Sequence, residues 1–117
     1  MYSPQLLDHF QNPRNAGDLP DADATAEITN PACGDVLRLS VKVDSEQISE
    51  IRFKAKGCVP SMACGSALTG LVRGKSLSEA RKVRREDVIN AVGGLPQAST
   101  HAAQLALDAL STVLQKL

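Results

Sequence analysis

The sequence lacks several features that would point to common classes of function. It contains no tryptophan, one tyrosine and two phenylalanines, so it has few aromatic side chains on which nucleic-acid bases could stack. Its formal net charge is zero, which argues against nucleic acid or an anionic membrane as the main partner. The one concentrated basic run, residues 81–85, is expected to be a solvated helical surface, with a docking site for an acidic partner as the alternative.

Long apolar runs and a signal sequence are also missing. No stretch approaches the roughly 20 residues needed to span a bilayer, and the N-terminus lacks a secretory pattern. We therefore expect a soluble, cytoplasmic protein. Three cysteines are an odd number, and free thiols are the default in a reducing compartment. A chain of 117 residues that is 43% hydrophobic suits one domain, residues 1–117, around a single core.

Two runs of alternating polarity predict a β-hairpin in the middle of the chain. The apolar positions are Leu37, Leu39, Val41 and Val43 in the first run and Ile51, Phe53 and Ala55 in the second. A weaker alternating segment, residues 24–29, is expected to pair with the first run. With the helical patterns described below, the sequence predicts an α+β fold in which a small three-stranded antiparallel sheet packs against several helices.

The register of the hairpin follows from which residues must share a face. Opposed residues point to the same side, so both apolar sets are buried together only if paired numbers sum to an even value. A three-residue loop satisfies this condition in two ways. A loop at 44–46 sets Leu37 opposite Phe53, and a loop at 45–47 sets Leu37 opposite Ala55.

Either register brings potential metal ligands to the open end of the hairpin. Cys58 lies one position from the residue opposite Cys33, and Asp35 shares the face of Cys33. Thiolates and carboxylates are ligands for zinc and iron, and Gly34 and Gly57 allow close approach of the backbone. We predict metal or sulfur chemistry here. The alternative is that each cysteine is a small buried hydrophobic residue.

Helical spacing is predicted over residues 4–11, from Pro60 to a stop at Gly74, over 77–82, over 85–92, and in a last helix. The last helix carries an apolar stripe made of Ala103, Leu107, Leu110, Leu114 and Leu117. Ser3 and Ser76 are expected to cap the helices that follow them. Gly65, which costs helix stability, is expected to allow close packing against the sheet or the site.

Two further ligand candidates lie near helix starts. If the second helix begins near Pro60, Cys64 lies in about its first turn, where the macrodipole would stabilise a thiolate. Cys64 then either reaches the site or is buried. His101 lies in the first turn of the last helix and becomes a ligand only if that helix folds back on the hairpin mouth.

Several motifs taken together resemble the IscU/NifU N-terminal family of iron–sulfur cluster assembly scaffolds. They cover nearly the whole chain: Tyr2-Ser3, Asp8-His9-Phe10, residues 12–17, Ala32-Cys33-Gly34-Asp35, Phe53 with Gly57-Cys58, Val72-Arg73-Gly74-Lys75, Leu95-Pro96 and His101. The family fold, a small antiparallel sheet against several helices, agrees with the pattern above.

The resemblance implies a transient [2Fe–2S] cluster or a zinc ion held by Cys33, Asp35, Cys58 and His101. It also implies a cysteine desulfurase as sulfur donor and apo iron–sulfur proteins as recipients. Three departures qualify this. Ala102 stands where the family has a third cysteine, central to sulfur acceptance. Residues 96–99 read Pro-Gln-Ala-Ser in place of the Pro-Pro-Val-Lys segment that an Hsp70-type chaperone grips, which argues against that partner. Cys64 replaces a small residue.

We therefore expect a scaffold without turnover chemistry of its own, with Cys64 or His101 completing the set of Cys33, Asp35 and Cys58. Because thiolate is the softer ligand, Cys64→Ala is expected to weaken metal retention more than His101→Ala. One alternative is a zinc-bound sulfur-relay protein working with a cysteine desulfurase. The family branch of that type usually has an insertion between its second and third ligand regions, and none separates Cys58 from His101. A second alternative is a divergent paralogue with structural zinc.

Overall fold

The computed structural model describes residues 2–117, which form one antiparallel sheet and five α-helices. The strands are β1 (Ala24–Thr29), β2 (Val36–Asp44) and β3 (Gln47–Lys56), in the order β1-β2-β3. The helices are α1 (Pro4–Gln11), α2 (Val59–Val72), α3 (Leu77–Ala80), α4 (Arg85–Ala91) and α5 (Thr100–Gln115), and a 3₁₀ turn, Gln97–Ser99, precedes α5. The predicted α+β fold is confirmed. Within the described residues no helix is long and apolar enough to cross a membrane.

The hairpin between β2 and β3 has a shorter turn than the sequence predicted. Its two turn residues, Ser45 and Glu46, both have positive φ, at 53° and 64°, as a two-residue hairpin turn requires. The three-residue loop is therefore wrong. A β-bulge between Lys42 and Val43 restores the parity, so that Leu37 pairs with Ala55, as in the second of the two predicted registers.

The bulge also adds a core residue that simple alternation misses. Because one residue of β3 is left unpaired, Ile48 and Ile51 are both fully buried although their numbers differ in parity. They share the buried face with Leu37, Leu39 and Phe53. This face is the one that the helices cover, as predicted.

Helix α2 lies at the centre of the molecule, because it packs against α1, β3 and α5. Its buried residues occupy nearly every side and are mostly small, which lets the neighbouring elements approach closely. Ser66 in α2 anchors the segment after α1, since its Oγ accepts the N–H of Arg14 at 2.8 Å and lies 2.8 Å from Nδ1 of His9. The same segment pairs with the outer edge of β3, where Gly17 N–H donates to the Phe53 carbonyl.

The helix starts are as predicted, while several details of the later helices differ. Ser3 and Ser76 accept backbone N–H groups at the starts of α1 and α3. In α5 the buried face is wider than the predicted stripe, with Leu107 half-buried and Leu117 exposed beyond the helix end. The basic side chains of the run 81–85 are exposed, but residues 81–84 form the connection between α3 and α4, and only Arg85 lies in a helix.

Gly65 is where α2 comes closest to the sheet. A Cβ atom at this position would lie 2.8 Å from Cδ2 of Phe53 and 3.0 Å from Cδ1 of Leu37. Real Cβ atoms do not approach neighbours so closely, so a larger residue would push the helix away from the sheet. The expectation that Gly65 permits close packing is confirmed, and its partner is the sheet.

We predict opposite effects for two glycine substitutions in this helix. Gly65→Ala should lower the free energy of unfolding by about 1–3 kcal/mol, because overpacking outweighs the helix-propensity gain. Gly70→Ala should raise it by up to about 1 kcal/mol, since a Cβ there meets no atom within 4 Å. Urea denaturation of both variants checks this, and a stabilised Gly65→Ala would show that the contact is not tight.

Candidate metal centre

Three potential ligands converge at the open end of the hairpin. One ligand atom each from Cys33, Asp35 and His101 lies within 4.8 Å of the others. Asp35 immediately precedes β2 and Cys33 lies two residues earlier, while His101 is the second residue of α5. Helix α5 folds back over the sheet by packing on β1 and β2. This is the arrangement that the sequence analysis required for His101 to be a ligand.

A tight turn presents Cys33 to solvent. The Asn30 carbonyl accepts the Gly34 N–H at 2.7 Å, and the Asn30 N–H donates to the Asp35 carbonyl at 2.8 Å. Gly34 has φ +77°, a conformation that favours glycine. Of the three cysteines, Cys33 is the exposed one, so its thiol is the most accessible to a partner.

Asp35 is a buried carboxylate with a full set of donors. Its residue is only 4% exposed. Oδ2 accepts the Cys58 thiol at 2.8 Å and the Ser61 hydroxyl at 2.7 Å, and Oδ1 accepts the Cys58 N–H at 3.3 Å. Burial acts to raise the pKa of Asp35, but hydrogen bonds from Cys58, Ser61 and Cys33 outweigh it, and the pKa lies below its usual value. The carboxylate is therefore ionised at neutral pH.

Cys58 joins the group through this carboxylate. It is the residue before α2 and is half-buried, and its Sγ also lies 3.3 Å from Oγ of Ser61. Burial, followed by the hydrogen bond to Asp35, raises the pKa of the Cys58 thiol, against a smaller lowering by Ser61. The thiol is thus protonated at neutral pH and must lose its proton to bind a metal.

His101 has one nitrogen in use and one free. Its Nδ1 lies 3.2 Å from the Ala98 carbonyl, which can only accept, so Nδ1 carries the hydrogen. In the neutral imidazole the lone pair is then on Nε2, which is a buried atom without a hydrogen-bond partner, 3.9 Å from Oδ2 of Asp35. A nitrogen oriented through its other ring N–H and otherwise unpaired is typical of a metal-binding histidine.

Gly57 makes room for the carboxylate. A Cβ at this position would overlap Oδ1 of Asp35, and the φ of +140° is one that only glycine adopts easily. Gly57 therefore lets the backbone beside Cys58 approach the site closely, as predicted.

Cys64 is a residue of the hydrophobic core. Helix α2 begins at Val59, so Cys64 is in its second turn, where it is fully buried in the hydrophobic core. The expectation that the helix dipole favours its thiolate is wrong, because burial raises the pKa of Cys64 to about 12.

Sequence reasoning missed Ser61 altogether. Its position could have indicated a role at the site. Ser61 is the third residue of α2, and Cys58, a candidate ligand, directly precedes that helix.

The fold and the site define a small α+β domain with a mixed thiol, carboxylate and imidazole centre. Two solved structures share its fold. A protein of Fervidobacterium islandicum AW-1 has a TM-score of 0.80 at 20% identity, covering 97% of this chain and 96% of that one. The N-terminal part of a NifU-like protein from Brucella abortus has a TM-score of 0.76 at 19% identity, covering 97% and 92%.

Sequence comparison identifies the family. The family model for the NifU-like N terminal domain matches residues 1–117. An iron-sulfur cluster assembly scaffold protein IscU of Archaeoglobus fulgidus is 44% identical over 110 residues, which cover 94% of this chain and 72% of the relative. The IscU scaffold protein of Aquifex aeolicus is 39% identical over 116 residues, covering 97% and 74%. The chain belongs to the NifU-like N-terminal domain family, and the resemblance inferred from its motifs is confirmed.

The geometry reverses the order of two ligand substitutions that sequence reasoning gave. We now predict that His101→Ala lowers the retention of zinc and iron strongly, because it removes the unpaired Nε2. Cys64→Ala should leave retention close to wild type, since its thiol is protonated and in the core, while lowering stability modestly. Metal analysis of both purified variants checks this, and an emptied site in Cys64→Ala alone would restore Cys64 as the fourth ligand.

Proposed function

We propose that this chain is a scaffold on which a labile [2Fe–2S] cluster is assembled and from which it passes to apo-proteins. The observation that carries the proposal is the convergence of Cys33, Asp35 and His101 within 4.8 Å, with Cys58 on the same carboxylate. Relatives named as iron–sulfur cluster assembly scaffolds support it. Residues 1–117 act as one scaffold domain, and the cluster is its cargo.

Four donors then hold the cargo. Cys33 and Cys58 supply thiolates, which iron–sulfur clusters prefer, while Asp35 and His101 supply an oxygen and a nitrogen. The two non-sulfur ligands bind a cluster more weakly than thiolates, which suits release. The same donors also fit a zinc ion, and zinc is a second occupant that the proposal allows.

The hydrogen bond between Cys58 and Asp35 keeps the site ready when no cargo is bound. It satisfies a buried carboxylate that would otherwise lack one donor, and it holds the thiol in its protonated form. Because the pKa of Asp35 is low, the carboxylate is a poor acceptor for that proton, which leaves to solvent as metal arrives.

Sulfur enters at Cys33. Ala102, at the position of the third family cysteine, offers only a methyl group and is buried, and Cys64 is buried too. Cys33 is exposed, so its thiolate can attack the outer sulfur of a persulfide on a cysteine desulfurase. This forms a persulfide on Cys33 and releases the donor thiolate. The protein is thus a carrier working with a desulfurase, and its location in the cytoplasm stays a prediction.

Chaperone-driven release is not part of the proposal. The segment 96–99 consists of Pro96 and the 3₁₀ turn before α5, and its Ala98 carbonyl accepts a hydrogen bond from Nδ1 of His101. This short segment thus contributes to the orientation of a proposed ligand.

We predict that replacing either proposed cysteine ligand prevents cluster assembly. Cys33→Ser and Cys58→Ser should each lose most of the iron, sulfide and visible charge-transfer absorption that the wild type gains on anaerobic reconstitution with iron and sulfide. Cys64→Ala is the matched control and should reconstitute normally. If the wild type takes up one colourless zinc and no iron with sulfide, the scaffold proposal fails in favour of a relay or structural zinc.

A separate prediction concerns release. Asp35→Ala should slow transfer of the cluster to an apo-ferredoxin, because it removes the hard, weak ligand that an incoming thiolate displaces most easily. Asp44→Ala, an exposed carboxylate at the far end of the hairpin, is the control and should transfer at the wild-type rate. Transfer is followed by the acceptor's spectrum, and equal or faster transfer by Asp35→Ala removes Asp35 from this role.

A further inference from the structure

Ser61 is a buried polar residue that is not one of the four proposed ligands. It lies in the first turn of α2 and is 1% exposed. Its hydroxyl donates to Oδ2 of Asp35 at 2.7 Å and lies 3.3 Å from Sγ of Cys58. One small side chain therefore contacts two of the four proposed ligands.

We propose that Ser61 is the positioning residue of the metal centre, which holds the Asp35 carboxylate with Oδ2 directed at the other ligands. This deepens the proposed function and rests on it, since it assumes that metal binds at this group. Ser61 itself is not a ligand.

The hydrogen bond from Ser61 to Asp35 remains when metal binds. Without metal, Oδ2 accepts two hydrogen bonds, from the Cys58 thiol and from the Ser61 hydroxyl. Binding removes the thiol proton, because a thiolate is the metal ligand. The serine hydroxyl keeps its proton at any ordinary pH, so it becomes the remaining side-chain donor to Oδ2. Its contribution thus matters most in the loaded state.

Ser61 also supplies a hydrogen-bond donor beside two groups that become negatively charged. Once Cys58 is a thiolate, it and the Asp35 carboxylate are anions in a poorly solvated place. The single Ser61 hydroxyl proton is donated to Oδ2 of Asp35, so it reduces the repulsion between the two anions by stabilising the carboxylate where water has little access. Donors of this kind around metal ligands typically change metal affinity by about 10–100-fold when they are removed.

The chain contains a matched control on the same helix. Ser66 is a fully buried serine of α2 whose Oγ accepts the N–H of Arg14 and contacts His9. Losing that hydroxyl should cost folding stability and leave the metal centre intact. Ser66→Ala therefore measures how much a buried hydroxyl of α2 contributes to folding stability when it does not contact a proposed ligand.

The test is titration of the full chain with Co²⁺, whose absorption reports thiolate ligation. We expect Ser61→Ala to bind Co²⁺ about tenfold more weakly than wild type. Ser66→Ala should bind as wild type does, although urea denaturation shows it to be less stable. In an Asp35→Ala background, adding Ser61→Ala should produce no further loss, because Ser61 acts through that carboxylate.

Two variants of equal shape guard against a folding artefact. Ser61→Thr keeps the hydroxyl and Ser61→Val replaces it with a methyl group, so Thr should bind Co²⁺ more tightly than Val. Three results would overturn this inference and leave the proposed function standing. They are equal Co²⁺ affinity of Ser61→Ala and wild type, equal losses of affinity in the Ser61 and Ser66 variants, and a full further loss in the Asp35→Ala background. A wild type that binds no Co²⁺ overturns the proposed site, and this inference with it.

Discussion

The buried carboxylate of Asp35 is the constraint on which the arrangement of the site depends. A carboxylate that is 4% exposed is costly unless donors surround it, and here they come from the residues at the start of α2. The positive end of a 14-residue helix adds to this stabilisation. Asp35 thus ties the beginning of β2 to the beginning of α2.

Several features of the backbone allow the start of β2 and the start of α2 to come into contact. The two-residue turn and the bulge bring Ala55 opposite Leu37, so β3 ends at Lys56, directly opposite Val36. Gly57 then lets the chain pass the carboxylate without overlap before Cys58 begins the turn into α2. Because Gly65 allows α2 to lie close to Phe53, the helix start is held against the sheet on which Asp35 is placed. The packing of α2 against the sheet therefore also determines the geometry of the site.

The sequence predicted the sheet, the helices and the convergence of Cys33, Asp35 and Cys58, because each depends on periodicity and strand pairing, which are local properties. It did not predict the bulge, since a two-residue turn of Ser45 and Glu46 carries none of the usual glycine or asparagine signal. The side chain at Cys64 was misjudged because its environment depends on how α2 packs against three neighbours. Ser61 was missed for a related reason, since its partner Asp35 is distant in sequence and no local pattern connects them.

The proposed ligand set is also consistent with the absence of a thiol at position 102. The resemblance to the family implies a cysteine at this position, and here the buried Ala102 leaves His101 as the proposed donor from α5. An imidazole nitrogen is a neutral ligand, so the proposed set carries one negative charge fewer than a set of three thiolates and a carboxylate. Fewer anions in a partly buried site need fewer compensating donors, and once the thiols are deprotonated the Ser61 hydroxyl, the Cys58 N–H and the start of α2 remain beside Asp35. A neutral nitrogen in place of a thiolate also binds iron more weakly and shifts a cluster towards easier reduction, as histidine ligation does in other iron–sulfur proteins. In the proposed ligand set, a histidine in place of a thiolate therefore favours a centre that gives up its cargo readily.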